Sequence, residues 1–126
     1  MTSPRRAFSS AVPSDCWYAL SSSDAVGRDL LAVRTVAGPV VLYRTADSTV
    51  VALEDRCAHR PYPLSAGSLV GDAVRCGLCG FVYDAGGQCV SVPTQPRVPF
   101  GASVAAYPVD ERDGVLGGTY SERAYL

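Results

Sequence analysis

Apolar residues in this chain come in short runs divided by turn-forming residues. Residues 30–36, 40–44 and 49–53 are rich in valine and leucine, and Gly38-Pro39 and Ala46-Asp47-Ser48 separate them. Such runs predict short antiparallel strands. Residues 16–20 predict a strand before them. Residues 22–27 predict one helical turn, because serine and aspartate offer a cap and Gly27 a stop. After residue 60 the pattern weakens. Pro61, Pro63, Gly67 and Gly71 argue against a regular element until residues 73–75 form a strand leading into Cys76. Residues 81–83 then predict a strand, 84–87 a turn and 88–92 the return strand. Residues 93–99 hold three prolines and an arginine and predict an extended connector. Residues 104–109 and 114–117 are expected to return to the main sheet as its last hairpin. The fold class this implies is all-β and antiparallel, with no internal repeat or low-complexity tract.

Composition adds bounds. A chain of 126 residues suits one domain that buries on the order of two-thirds of its unfolded surface. Its net charge of −1 gives no reason to expect nucleic acid as a partner. Lysine, asparagine and isoleucine are absent and every basic side chain is arginine, the signature of a GC-rich bacterial genome. Residues 1–14 are small, polar and proline-punctuated and are expected to form a loose arm. Arg5-Arg6 would suit a twin-arginine export signal, but the polar residues 9–15 do not supply the apolar stretch such a signal needs. No segment approaches the ~20 apolar residues of a membrane span. The expectation is a cytoplasmic protein, where thiols stay reduced and paired cysteines more often bind metal than form disulfides.

Three of the five cysteines and the sole histidine lie in residues 57–79. They form two short pairs, Cys57-x-His59 and Cys76-x-x-Cys79, separated by residues 60–75. A pair of ligands one or two residues apart fits a tight loop, and two facing loops offer four soft or borderline ligands to one metal centre. Cysteines three apart rarely reach good disulfide geometry, which also favours metal. Gly77 and Gly80 bracket the second pair, where backbone turning around sulfur would donate N–H bonds to it.

The block from Cys57 to Asp84 resembles the cluster-binding segment of Rieske proteins, with their C-x-H…C-x-x-H pattern. It is most similar to the N-terminal domain of Rieske oxygenases of the vanillate demethylase kind. CAHR, PLSAGSLVGD, VRC, CG and YD stand in the same register, and the resemblance runs from about Cys16 to Gly114. One departure stands out: Cys79 occupies the position of the last ligand histidine. The resemblance implies a Rieske-like antiparallel barrel or sandwich over residues 15–117, carrying a small cluster-binding subdomain at about residues 55–92, with residues 118–126 as a tail. It implies a [2Fe–2S] cluster with Cys57 and Cys76 on the inner iron, and His59 with Cys79 on the outer one. A thiolate in place of an imidazole adds negative charge. The potential is therefore expected to fall from the Rieske range of roughly −150 to +300 mV towards the roughly −400 mV of all-cysteine plant-type clusters. By the same resemblance Cys16 and Cys89 are expected to pack in the core. Tyr83 is either core or a hydrogen-bond partner of a ligand sulfur, and Arg60 either a surface ion pair or a contact at a docking face.

Three states of the centre stay open on the sequence: a Cys3His [2Fe–2S] cluster, a structural zinc in the same ligand set, or a scaffold that has lost its metal. Oxygenases of this family activate oxygen at a mononuclear iron held by two histidines and a carboxylate. His59 is the only histidine, so this chain cannot be a complete oxygenase by itself. The expected function is electron transfer, as a Rieske-type ferredoxin or the separate cluster subunit of an oxygenase. Its partner would then be a reductase, an oxygenase subunit or another oxidase. The alternative is a cluster-free enzyme or binding protein of a bacterial biosynthetic pathway, using residues such as Asp55, Tyr62 and Tyr83 for acid–base chemistry.

Overall fold

A computed structural model describes residues 16–36, 38–93 and 102–119. The expected arm at 1–14, nearly all of the 93–99 connector and the tail beyond Thr119 lie outside the described residues. Among the described residues, eleven strands form three antiparallel sheets. Strands β1 (Trp17–Ser22), β11 (Val115–Thr119) and β10 (Asp110–Arg112) make the first. Strands β2 (Leu31–Thr35), β3 (Gly38–Arg44), β4 (Val50–Glu54) and β9 (Ala106–Tyr107) make the second. Strands β5 (Ser68–Val70), β6 (Ala73–Arg75), β7 (Val82–Tyr83) and β8 (Cys89–Ser91) make the third. Helical structure among the described residues is two 3-10 turns, Ser23–Ala25 and Leu64–Ala66. No helix there is long and apolar enough to cross a membrane.

The second sheet is the middle layer. Side chains alternate across a strand, so Val41 and Tyr43 of β3 point one way and Val40 and Leu42 the other. Val41, Tyr43, Val51 and Leu53 join Leu64, Val74, Tyr83 and the three cysteines Cys57, Cys76 and Cys89 in one core. Val40, Leu42 and Ala52 join Tyr107, Leu116 and, less buried, Tyr18 and Leu20 in the other. One core lies under the cysteine-bearing loops and the other against the first sheet. This is why residues 40–43 are all buried, with no polar face turned to solvent.

Two elements differ from the sequence expectation. Residues 68–70 form strand β5, paired with β6 through the two-residue loop Gly71-Asp72. Gly71 looked like a breaker and is a hairpin turn. The last hairpin is also composed differently. Ala106–Tyr107 pairs with β4, whereas β11 pairs with Asp110–Arg112 across Asp113-Gly114. Pro108 has no N–H to continue a ladder, which ends β9. Asp113 and Gly114 both have positive φ, 52° and 79°, as a type I′ turn requires. Strand β11 also runs to Thr119, past the expected boundary at 117. Cys16 is exposed rather than packed. The residues just before it lie outside those described, and the packing expectation rested on resemblance alone.

The third sheet is fastened to the second at the β5–β6 turn. Arg28 donates to the Gly71 carbonyl (2.6 Å), the Asp72 carboxylate (3.1 Å) and the Arg44 carbonyl (2.7 Å). Ala46 N–H donates to the same Asp72 carboxylate (2.8 Å), and the buried Tyr43 hydroxyl donates to the Asp72 carbonyl (2.8 Å). Burial, with Asp72 beside it, pushes the Tyr43 phenol up to about 12. Tyr43 therefore stays a neutral donor at physiological pH.

Candidate metal centre

The first loop leaves β4 and folds back on itself. Cys57 N–H donates to the Tyr62 carbonyl (2.9 Å) and Tyr62 N–H to the Arg60 carbonyl (2.7 Å). The root of the loop is held by Asp55, which is 8% exposed and accepts from Ser65 N–H (2.7 Å) and Ser65 Oγ (2.6 Å). Both carboxylate oxygens are thus engaged in structure, which leaves Asp55 unsuited to the acid–base role. The second loop is a tight turn in which Cys76 N–H donates to the Phe81 carbonyl (2.8 Å) and Gly80 N–H to the Cys76 carbonyl (3.0 Å). Gly80 closes it at φ 79°, a conformation that costs a side-chain-bearing residue roughly 1–2 kcal/mol.

These loops bring three sulfurs together. The Sγ atoms of Cys57, Cys76 and Cys79 all lie within 4.8 Å of one another. Those of Cys57 and Cys79 are 3.3 Å apart. Cys57 and Cys76 are buried and Cys79 is partly exposed. His59 is not in this group. It is exposed, and its ring stacks flat on Phe81, with centroids 4.9 Å apart and an interplanar angle of 3°. Since Phe81 follows the second loop directly, the stack sets the tip of the first loop against the second.

Tyr83 performs both roles considered for it. It is fully buried, and its hydroxyl accepts from Ala58 N–H (2.9 Å) while lying 3.2 Å from Cys57 Sγ. With its oxygen already accepting from a backbone donor, the hydroxyl is free to donate its own proton to the sulfur. Burial pushes the Cys57 thiol up, but hydrogen bonds from Tyr83, the N–H groups of His59 and Arg60, and Cys79 outweigh that and leave it below the usual thiol range. Burial pushes the Cys79 thiol up to about 12, and the neighbouring Cys57 and Cys76 sulfurs add to this against a bond from Phe81 N–H. Of the two thiols, Cys57 is therefore the easier to ionise.

This donor set fits an iron–sulfur cluster at three of the four expected positions. Sulfurs converging from two loops, with backbone N–H groups aimed at them, stabilise the negative charge that such ligands carry. Cys89 is buried and bonds the Ser91 carbonyl, as a core residue rather than a ligand. A cleft of about 480 Å³ opens beside the first loop, lined by Arg56, His59 and Arg60 and also by Glu54, Ser103 and Val104. The last two come from a segment far along the chain, so no local sequence signal marks them.

Comparison with known proteins agrees with the site. The Rieske [2Fe-2S] domain profile matches residues 16–108. The iron-sulfur subunit of the toluene-4-sulfonate monooxygenase system of Comamonas testosteroni is 40% identical over 103 residues, which are 81% of this chain and 30% of that protein. The vanillate O-demethylase oxygenase subunit of a Pseudomonas species is 43% identical over 77 residues, 61% of this chain and 23% of that protein. The crystal structure of dicamba monooxygenase bound to dicamba superposes with a TM-score of 0.79 at 35% identity, covering 90% of this chain and 34% of that one. The chain spans less than a third of the length of these curated relatives.

Proposed function

Because this chain belongs to the Rieske [2Fe-2S] domain family, we propose that it transfers single electrons through a [2Fe–2S] cluster held by Cys57, Cys76, Cys79 and His59. The observation that carries this reading is the convergence of three sulfurs within 4.8 Å, in the segment where the family binds its cluster. Bound there, the cluster would accept and release one electron, which is the chemistry no side chain of the chain supplies. The rest is the work of the protein. Tyr83 donates to the Cys57 sulfur, the backbone of residues 59–60 and 81 faces the thiolates, and the core under the loops excludes water from Cys57 and Cys76. His59, stacked on Phe81 at the exposed tip, would be the fourth ligand, and would have to leave that stack to serve as one. Cys79, in place of the family's histidine, sets the potential below the usual Rieske range.

The partner in this reading is a redox protein, either a reductase or an oxygenase subunit, docking where His59 and Arg60 reach the surface. Two of the similar proteins are themselves named as oxygenase components. A cytoplasmic location suits the reduced thiols. The test is the metal content of freshly purified protein, with about two iron and two sulfide per chain expected and a red-brown colour. Cys57→Ala and Cys76→Ala should each abolish binding, and full iron and sulfide in either variant would defeat the assignment. One zinc per chain in colourless protein would instead assign a structural Cys3His site. The position of His59 outside the thiol group favours a second reading, a metal-free scaffold put to another use. Colourless, metal-free protein after attempted anaerobic reconstitution would select it.

A further inference from the structure

The three thiols differ in their access to solvent and in their spacing. Cys57 and Cys76 are 2% and 1% exposed, while Cys79 is partly open. Cys57 and Cys79 approach to 3.3 Å between sulfurs and sit on different loops. A disulfide bond is about 2.05 Å long, so closure needs the sulfurs to approach by about 1.3 Å. Backbone bonds hold both loops in place for it. Cys57 N–H is bound to the Tyr62 carbonyl, Ala58 N–H to the Tyr83 hydroxyl and Cys76 N–H to the Phe81 carbonyl. The alternative pair, Cys76 and Cys79, lies within a single tight turn whose Cys76 carbonyl is tied to Gly80 N–H, with no approach as short as that of Cys57 and Cys79 seen between them.

We propose that Cys57 and Cys79 form a modification site: when the centre holds no metal, they close to a reversible disulfide in exchange with a low-molecular-weight disulfide such as oxidised glutathione. The partly exposed Cys79 passes its thiol proton to the Cys57 sulfur and attacks the oxidant as a thiolate, forming a Cys79–glutathione mixed disulfide; the glutathione thiolate released takes that proton back from Cys57 and leaves as a thiol. The Cys57 sulfur, 3.3 Å away, then attacks the Cys79 sulfur. The inter-loop bond forms, the mixed disulfide breaks and the second glutathione thiol leaves. Two protein thiols are oxidised and one small disulfide is reduced to two thiols, so electrons and protons balance. The bond joins positions 22 residues apart and staples the two loops, holding the metal-free fold together. It also occupies two of the three sulfurs, so the centre takes up metal only after reduction. This state is independent of the electron-transfer reading, because it belongs to the metal-free chain.

The test uses the full chain produced without iron and equilibrated with glutathione redox buffers. Thiols are counted in denaturant, the intact mass is measured, and peptides cleaved after Leu78 separate Cys76 from Cys79. Five thiols should fall to three with the loss of two mass units, and the linkage should join Cys57 to Cys79. Cys89→Ser should lose two thiols in the same way, while Cys79→Ser and Cys79→His should lose none. Far-UV circular dichroism checks that the variants are folded, and the wild-type peptide map decides the matter if one is not. A full thiol count in oxidising buffer, the same loss in folded Cys79→Ser, or a linkage through Cys76 would each overturn the proposal. Iron and sulfide analysis of chain grown with iron reads the cluster assignment separately, whatever the thiol count shows.

Discussion

Cys79 stands where the family's ligand segment carries histidine, and its sulfur lies 3.3 Å from Cys57 Sγ. In a filled centre a thiolate there adds one negative charge and favours the oxidised state. Cys79→His removes that charge, so the reduction potential should rise by the order of a hundred millivolts or more in a redox titration. An unchanged potential would mean that position 79 does not hold the metal. Tyr83 acts in the opposite sense, because its hydroxyl supports charge on the Cys57 sulfur. Tyr83→Phe should lower the potential, since hydrogen bonds to ligand sulfur raise it. It should also cost the fold about 0.5–1.5 kcal/mol in urea denaturation, as Ala58 N–H loses its acceptor. A potential that does not move would show that the hydroxyl does not donate to the sulfur. The cysteines were legible in the sequence because few residue types bind soft metals and their spacing is local. Tyr83 was legible only as a pair of options, since its partner sulfur is 26 positions away. The stack of His59 on Phe81 was not legible, because nothing local ties one loop tip to the other.

Among the elements, the β5–β6 hairpin leads into the second cysteine loop and fixes where it starts. Its turn is the point where Arg28, Tyr43 and Ala46 of the second sheet's surroundings converge on Gly71 and Asp72. The Arg28–Asp72 ion pair is about half exposed on both sides, so its charge alone contributes little. The carboxylate also accepts from Ala46 N–H, and losing that geometry leaves several donors to water. Asp72→Ala should therefore destabilise by about 1–2 kcal/mol, read as a lower urea midpoint at unchanged slope. A midpoint equal to wild type would show the turn to be held by the Tyr43 and Arg28 bonds to backbone alone. This hairpin was the element hidden in the sequence. Pro61, Pro63, Gly67 and Gly71 are the residues of a loop, and only pairing across Gly71-Asp72 reveals that one of them is a turn between strands. The Asp113-Gly114 turn was written more openly, as a dipeptide that favours two-residue hairpins. Its partner strand Asp110–Arg112 is wholly exposed and carries no apolar signal, so the preceding apolar run drew the assignment instead.

For the whole molecule, the middle sheet couples the two cores. The continuous apolar run Val40-Val41-Leu42-Tyr43 was the sequence sign of a strand buried on both faces, but the identity of the two covering layers depends on long-range pairing. Leu53 is fully buried in the core beneath the cysteine loops, and Leu42 is fully buried in the core on the opposite face. Truncating either leaves a cavity that a tightly packed interior fills only in part. Leu53→Ala and Leu42→Ala should each cost about 2–5 kcal/mol. If the sheet joins the layers into one cooperative unit, the two variants should behave alike despite their different distances from the metal loops. Urea unfolding followed by far-UV circular dichroism and by the visible absorbance of the metal centre should then give coincident midpoints in the wild type and in both variants. Leu42→Ala is the decisive member, because its side chain touches only the core remote from the cysteines. Loss of visible absorbance well before the loss of strand signal would mean that the metal loops open as a separate unit. In that case Leu53→Ala alone should shift the first transition, and Leu42→Ala only the second.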